Sequence, residues 1–70
     1  MNIHMNILMK IHNKQNILNF VKKERVVTTS EIASRFRLSW NTAEKYLLEL
    51  TIEQKIIRIK KLGVNLWIPK

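Results

Sequence analysis

The 70-residue sequence predicts an α+β fold that is mainly helical and ends in a small β-hairpin. Apolar residues recur at helical spacing in residues 14–25. Two more helical patterns follow between residues 29 and 54, with almost no linker between them. From Ile56 onward the apolar period changes to two, on both sides of the only glycine. The expected order is helix, short strand, helix, helix and hairpin.

The first helix is expected over residues 14–25, "KQNILNFVKKER", with Asn13 as its N-cap. The β-branched pair Val26 and Val27 predicts a very short strand after it.

Capping residues mark the next two helices. Thr28 followed by Glu31 is a capping-box pattern and predicts a helix over residues 29–36. Ser39 can cap a third helix that runs to about Gln54. The junction contains neither Gly nor Pro, so Arg37 or its neighbour is expected to take up the bend.

The hairpin is expected over residues 56–68, with a turn that contains Gly63. A period of two places Arg58 and Lys60 on one face and Ile57 and Ile59 on the other. Lys61 lies at the turn, and no acidic residue follows Lys55.

A step of 100° per residue predicts the core stripe of the third helix. The expected core consists of Ala43, Leu47, Leu50 and Gln54 with Tyr46 at the margin, and of Ile17, Leu18, Val21, Ile32, Ala33, Phe36 and Leu38.

Charge is the strongest global signal, because 13 Lys and Arg against 5 acidic residues give a net charge of +8. This balance favours a polyanionic partner, most often nucleic acid. The sequence has no cysteine, and no acidic residue lies near His4 or His12, so we expect no metal and no cofactor. We expect no enzyme activity either, since no nucleophile–base or paired-carboxylate pattern occurs.

No apolar run is long enough to span a bilayer, and no signal peptide is recognisable. We therefore expect no membrane contact. The expected location is the cytoplasm, at the nucleoid, or the host cytoplasm if a virus or plasmid encodes the chain.

Two segments together resemble a known family. "VVTTSEIASRFRLSWNTAEKYLLEL" followed by "KIIRIKKLGVNLWI" resembles the winged helix-turn-helix DNA-binding domain of small bacterial and archaeal transcription regulators, mobile-element regulators included. The resemblance covers about residues 14–69 and implies three helices plus a C-terminal two-stranded wing. Many members place a glycine in a left-handed conformation before the wing, and here that position falls on Lys55 or close to it.

The resemblance implies a sequence-specific double-stranded DNA-binding protein, a transcriptional regulator. Helix 39–54 would enter the major groove, and the basic wing 56–68 would lie on the backbone or in the minor groove. The side chains expected to face the bases are Ser39, Trp40, Asn41, Thr42, Glu44 and Lys45. Those expected to bind phosphates are Arg35, Arg37, Arg58, Lys60 and Lys61.

Several of these side chains have a purely structural alternative. Lys45 could instead pair with Glu49 on a solvated helix face. Trp40 could pack on the second helix or lie on DNA, whereas Trp67 is expected to close the core. The hairpin lysines could serve only to protect an edge strand from aggregation.

Residues 1–12 form an apolar arm outside the domain, which is expected over 13–70. The arm could mediate a homodimer, because Leu48 and Ile52 lie away from the core and need a cover. The expected dimer contacts are Ile3, Ile7, Leu48 and Ile52. Two alternative functions remain at this point: a winged-helix protein–protein adaptor, and a non-specific architectural or RNA-binding protein.

Overall fold

A computed structural model describes residues 14–70. The elements are α1 (14–24), β1 (Val27–Thr28), α2 (Thr29–Phe36), α3 (Trp40–Ile52), β2 (Ile56–Lys61) and β3 (Val64–Pro69). The fold is therefore mixed α+β, as predicted. The predicted cap Asn13 and the arm 1–12, with Ile3 and Ile7, lie outside the described residues.

The described strands form one antiparallel sheet in the order β1-β3-β2. The predicted two-stranded wing is wrong in strand number. The short strand predicted at Val26 and Val27 forms at Val27–Thr28 and joins the C-terminal hairpin, so the described sheet has three strands. Val27 lies opposite Trp67, and Thr28 lies opposite Leu66. This pairing ties the chain before α2 directly to β3.

Side-chain caps begin both α2 and α3. The backbone N–H of Glu31 donates to Thr28 Oγ1 at 3.1 Å, and the backbone N–H of Thr28 donates to Glu31 Oε1 at 2.8 Å. The capping box is thus complete, and α2 begins and ends where predicted. Ser39 caps α3 through the N–H of Thr42 at 3.1 Å.

A residue with left-handed backbone follows α2 directly and α3 after one further residue. Arg37, at φ 55°, takes up the bend after α2, as predicted. The helix α3 ends at Ile52, two residues before the predicted end, and Gln54 adopts φ 62°. The N–H of Lys55 then donates to the carbonyl of Leu50 at 3.0 Å. Gln54 is exposed and outside the core, contrary to prediction, because the chain leaves the helix before it.

The core lies between the three helices and the inner face of the sheet. The predicted apolar stripe is confirmed, and three residues of the sheet complete it. The fully buried apolar side chains are Ile17, Leu18, Val21, Val27, Ile32, Ala43, Leu47, Leu50, Ile56 and Trp67. Phe20 and Phe36 extend this core with an edge-to-face contact, at 5.8 Å between ring centroids, that joins α1 to α2.

The register of the hairpin separates its two faces. Residues opposite each other share a face, so Ile56, Arg58 and Lys60 lie on the inner side with Trp67 and Asn65. The outer side carries Ile57, Ile59, Lys61, Val64, Leu66 and Ile68. The two-residue turn, Leu62 and Gly63, has positive φ at both positions (52° and 78°), as in the mirror-image turns that suit hairpins.

Within the described part of the chain, no helix has the length and apolarity that crossing a bilayer requires.

Candidate nucleic-acid interface

The N-termini of α2 and α3 meet the hairpin at an open notch of about 310 Å³. Four elements line it: the end of β1, the start of α2, the start of α3 and the half of the hairpin nearest its turn. The lining residues are Thr28, Thr29, Ser30, Trp40, Lys60, Gly63, Val64 and Asn65. The fold thus brings Trp40 and Lys60, two predicted site residues 20 positions apart, to one concave surface.

The first two turns of α3, whose first residue Trp40 lines the notch, present exposed polar side chains. Asn41 and Lys45 are exposed, and the indole of Trp40 is half exposed at 50%. Among residues 14–70, Lys45 makes no salt bridge, because Glu49 pairs instead with Lys14 at 3.3 Å. The alternative pairing of Lys45 with Glu49 is therefore absent, and the Lys45 ammonium group is available to an external anion.

Ser39 and Thr42 satisfy each other at the start of α3. The Ser39 hydroxyl donates to Thr42 Oγ1 at 2.9 Å and accepts from the Thr42 N–H at 3.1 Å. Their hydroxyl groups shape the helix N-terminus, and part of their hydrogen-bonding capacity is already used.

A hydrogen-bond network lies beneath this surface. Trp67 Nε1 donates to Thr29 Oγ1 at 2.9 Å, and Thr29 Oγ1 donates to Glu44 Oε1 at 2.8 Å. The amide of Asn65 approaches Glu44 Oε2 at 3.4 Å. Thr29 is 96% buried, since 4% of its surface is exposed. The network therefore joins α2, α3 and β3 from inside the domain.

Glu44 was expected to face the bases, but its carboxylate turns toward Thr29 and Asn65. Both of its oxygens accept hydrogen bonds within the domain, which leaves little capacity for a cytosine amino group. Asn65 Oδ1 is buried without a partner among the described residues. Turning that amide over would place its oxygen against the Glu44 carboxylate, so the observed orientation is the better of the two.

Sequence reasoning missed Thr29 and Asn65 as members of this network. Thr29 is separated from Trp67 by 38 positions and from Glu44 by 15. Thr29 was assigned only as the first residue of a helix. No local pattern pairs these side chains, because packing of the sheet against α2 brings them together.

The basic side chains of the hairpin occupy three different places. Lys60 lines the notch, whereas Arg58 lies nearer the hairpin base beside Thr51 and Gln54. Lys61 lies on the outer face opposite Val64. The three charges therefore do not form one patch, and only Lys60 adjoins the start of α3.

The two arginines of α2 and its end also diverge. The guanidinium of Arg35 lies over the ring of Phe20, 5.4 Å from the centroid, on the side of α1. Arg37 is exposed in the junction just before α3. Arg37 is thus placed near the α3 N-terminus, and Arg35 is not in the notch.

The far end of α3 is held by exposed ion pairs. Lys14 pairs with Glu53 and Glu49, which joins the start of the described α1 to the last turn of α3. The hydrogen bond to Glu53 raises the pKa of Lys14, and the same hydrogen bond lowers the pKa of Glu53. Lys14 and Glu53 keep 28% and 40% of their side-chain surface exposed, so solvent screens the pair.

Two large apolar side chains of α3 face solvent, as predicted. Leu48 is 36% exposed and Ile52 is 79% exposed. They lie one turn apart, beyond the polar first turns of the helix. Within residues 14–70 nothing covers Ile52.

Among the described residues, no group of three His, Asp or Glu side chains could hold a metal ion.

Comparison with the curated proteins finds no match, and comparison with the solved structures finds none either. Comparison with protein families gives a clear result. The family described as "FaeA-like protein" matches residues 13–67, which includes every described helix and strand from α1 to most of β3. The chain is a member of the FaeA-like protein family.

Proposed function

We propose that this protein is a sequence-specific double-stranded DNA-binding protein that regulates transcription. In this proposal the domain is a winged helix-turn-helix, α3 enters the major groove, and the β2–β3 hairpin is the wing. The FaeA-like family, of winged helix-turn-helix type, supports a regulator domain of this kind.

One observation carries the proposal. Trp40, the first residue of α3, lines the notch together with Lys60 of the hairpin, and Asn41 and Lys45 are exposed on the first two turns of the same helix, in a chain of net charge +8. A helix of about 10–12 Å diameter fits the major groove, and a neighbouring basic hairpin then reaches the adjacent backbone. The arrangement supplies a base-reading element and a phosphate-binding element on one side of the domain.

The proposed roles follow from where each side chain lies. Asn41 can bond bidentately to adenine, and Lys45 can reach guanine. Lys60 and Arg37 bind phosphates on either side of α3. Trp40 packs on sugars or thymine methyls at the notch. Glu44 is a positioning residue that does not contact DNA, because its hydrogen bonds hold α3 against α2 and β3.

The remaining predicted residues have lesser roles in the proposal. Ser39 and Thr42 present the α3 N-terminus to a phosphate. Arg58 and Lys61 add long-range attraction, and Arg35 contributes mainly to the packing of α1 on α2. Such charges raise affinity for any duplex without choosing a sequence.

A homodimer is a second part of the proposal. Exposed Leu48 and Ile52 are the described residues that support it, since apolar side chains one turn apart gain from being covered. A two-fold dimer would present two α3 helices to half-sites about one duplex turn apart. The same two residues would serve a protein–protein adaptor, which is the rival function.

Selection of bound sequences from random duplex DNA at near-physiological salt tests the function. We expect one enriched motif, with two-fold symmetry if the dimer forms. Salt-independent or absent duplex binding would favour the adaptor. Binding without any enriched motif, or tighter binding to single strands, would favour the architectural or RNA-binding alternative.

Solution mass measured for the full chain and for Leu48→Ser/Ile52→Ser tests the dimer separately. A full-length dimer that the double substitution converts to monomer is expected. A full-length monomer would remove the dimer from the proposal and leave DNA binding standing.

A further inference from the structure

The tip of the β2–β3 hairpin carries an unusual residue for its position. Leu62 is 95% exposed, the highest value among the large apolar side chains described. It also adopts φ 52°, the left-handed conformation that a leucine rarely takes. The preferred residues at this position of such a turn are Asn, Asp and Gly. Leu62 thus carries the cost of backbone strain, and its side chain gains no burial on folding that would offset this cost.

The surroundings of Leu62 are cationic and open. Lys60 and Lys61 directly precede it, and no acidic residue occurs between Lys55 and the end of the chain at Lys70. A Cβ atom added to Gly63 would meet nothing within 4 Å. The tip therefore projects into solvent with an apolar side chain at its end and positive charge behind it.

This combination fits the chemistry of the DNA minor groove. Lysines follow the negative potential of that groove, which is about 6 Å wide. An apolar side chain placed there can insert between two base pairs, partly unstack them, and kink the duplex by about 20–90°. Strained backbone conformations are concentrated at functional sites, so the left-handed conformation of this leucine also points to a function.

We propose that Leu62 is a wedge that enters the minor groove at a base step and bends the bound DNA. The inference rests on the proposed DNA binding and adds a second activity, DNA bending, to it. The wedge favours pyrimidine–purine steps under the hairpin, since these unstack most easily. Part of the sequence preference then comes from how easily the DNA deforms at this base step, where no protein side chain forms a hydrogen bond with the bases.

The test compares Leu62→Asn with the unchanged full-length chain. Asn-Gly is the favoured pair for this turn, so the variant folds and its Tm rises by about 3–8 °C. The duplex is about 30 base pairs long and carries the motif enriched by the selection described above. Bending is measured by energy transfer between its labelled ends, and unstacking by 2-aminopurine fluorescence at successive positions.

The unchanged chain should bend this duplex by tens of degrees and raise the fluorescence at one step. Leu62→Asn should lose both signals and bind about 5–50-fold more weakly, despite its higher Tm. Leu62→Met should keep the bend, because methionine also acts as a wedge. As a matched control, Ile59→Thr removes an exposed apolar side chain from the outer face of the same hairpin and should leave the bend intact.

Equal bending and equal affinity for Leu62→Asn and the unchanged chain would overturn the wedge. So would a straight duplex in the complex with the unchanged chain. A failure of the proposed function looks different, since the unchanged chain would then show no salt-dependent binding to any duplex.

Discussion

The two ends of α3 are held by different kinds of interaction. At its N-terminal end, Glu44 accepts from the buried hydroxyl of Thr29, which in turn accepts from the indole of Trp67. At its C-terminal end, Glu49 and Glu53 pair with Lys14 on the surface. Unpaired polar groups are costly when buried, whereas exposed ion pairs contribute little to folding. The end of α3 proposed to read DNA is therefore the end whose position is specified most strictly.

Thr29→Val should cause the largest loss of stability, and it tests the buried network that holds the N-terminal end of α3. The substitution keeps shape but leaves the Trp67 N–H without its acceptor and Glu44 without its closest donor. We expect the free energy of unfolding to fall by about 2–4 kcal/mol, as measured by urea denaturation.

Thr51→Val is the matched control for Thr29→Val. The Thr51 hydroxyl donates to the carbonyl of Leu47 within α3 at 2.9 Å. That bond is local, so its loss should cost less than about 1 kcal/mol. Equal losses for the two variants would show that the buried network is no stricter than an ordinary helix-surface bond.

Asn41→Ala asks whether the strictly held end also carries specificity. The Asn41 side chain is exposed on the first turn of α3, so the variant should fold normally. We expect discrimination between the enriched and a random duplex to fall by about 1–3 kcal/mol, as measured by fluorescence anisotropy. Asn16→Ala, an exposed change on α1, should have no effect. Equal loss of affinity for both duplexes in Asn41→Ala would contradict the base-reading role.

Lys60→Ala and Lys61→Ala compare the contributions of two neighbouring hairpin lysines to DNA binding. Each removes one charge, but Lys60 lines the notch and Lys61 lies on the outer face. For Lys60→Ala the slope of log K against log salt concentration should become less steep by about 0.9. The affinity for every DNA sequence should then fall about fivefold at 0.15 M salt. Lys61→Ala should have a smaller effect. The reverse order would place the outer face against DNA.

Lys14→Ala should have the smallest effect and tests the loosely held end. We expect a slight decrease in Tm, comparable with that of Lys22→Ala on the same helix. The pH dependence has a definite sign. Because the pKa of Glu53 is lowered, the ion pair stabilises the fold at pH values above about 4.5, the ordinary pKa of the group. This stabilisation is lost as the pH falls through the lower pKa of the folded state. Because the pKa of Lys14 is raised from 10.5, its contribution is lost only at pH above that value.

Thermal unfolding at low and neutral pH measures the stabilisation that the Lys14–Glu53 ion pair provides. The difference between Lys14→Ala and the unchanged chain should shrink as the pH falls below 4.5. A large and pH-independent loss of Tm would mean that the C-terminal end of α3 is held as strictly as the N-terminal end.

Local patterns explain which parts of the fold were predictable. The capping box of Thr28 and Glu31 spans three residues, so the start of α2 could be read from the sequence. The bend at Arg37 followed from the shortness of the junction alone. By contrast, the end of α3 was placed two residues too far along, because nothing local distinguishes a last helical turn from a left-handed Gln54.

The candidate site divides in the same way. Exposure of Asn41, Lys45, Leu48 and Ile52 follows from helical periodicity, which holds along any regular helix. The role of Glu44 could not be read from that periodicity. Its carboxylate lies at the margin between core and solvent, where the direction of the side chain depends on which donors the neighbouring elements supply.

The sequence by itself determined the helical elements, the core stripe, the basic hairpin and the polar start of α3. These features depend on residues within a few positions of each other. Only the tertiary structure decided that the short strand Val27–Thr28 pairs with the hairpin, that Lys60 lines the notch beside Trp40, and that Glu44 turns inward. Each of these depends on contacts between residues far apart in the chain, which packing creates and no local pattern contains.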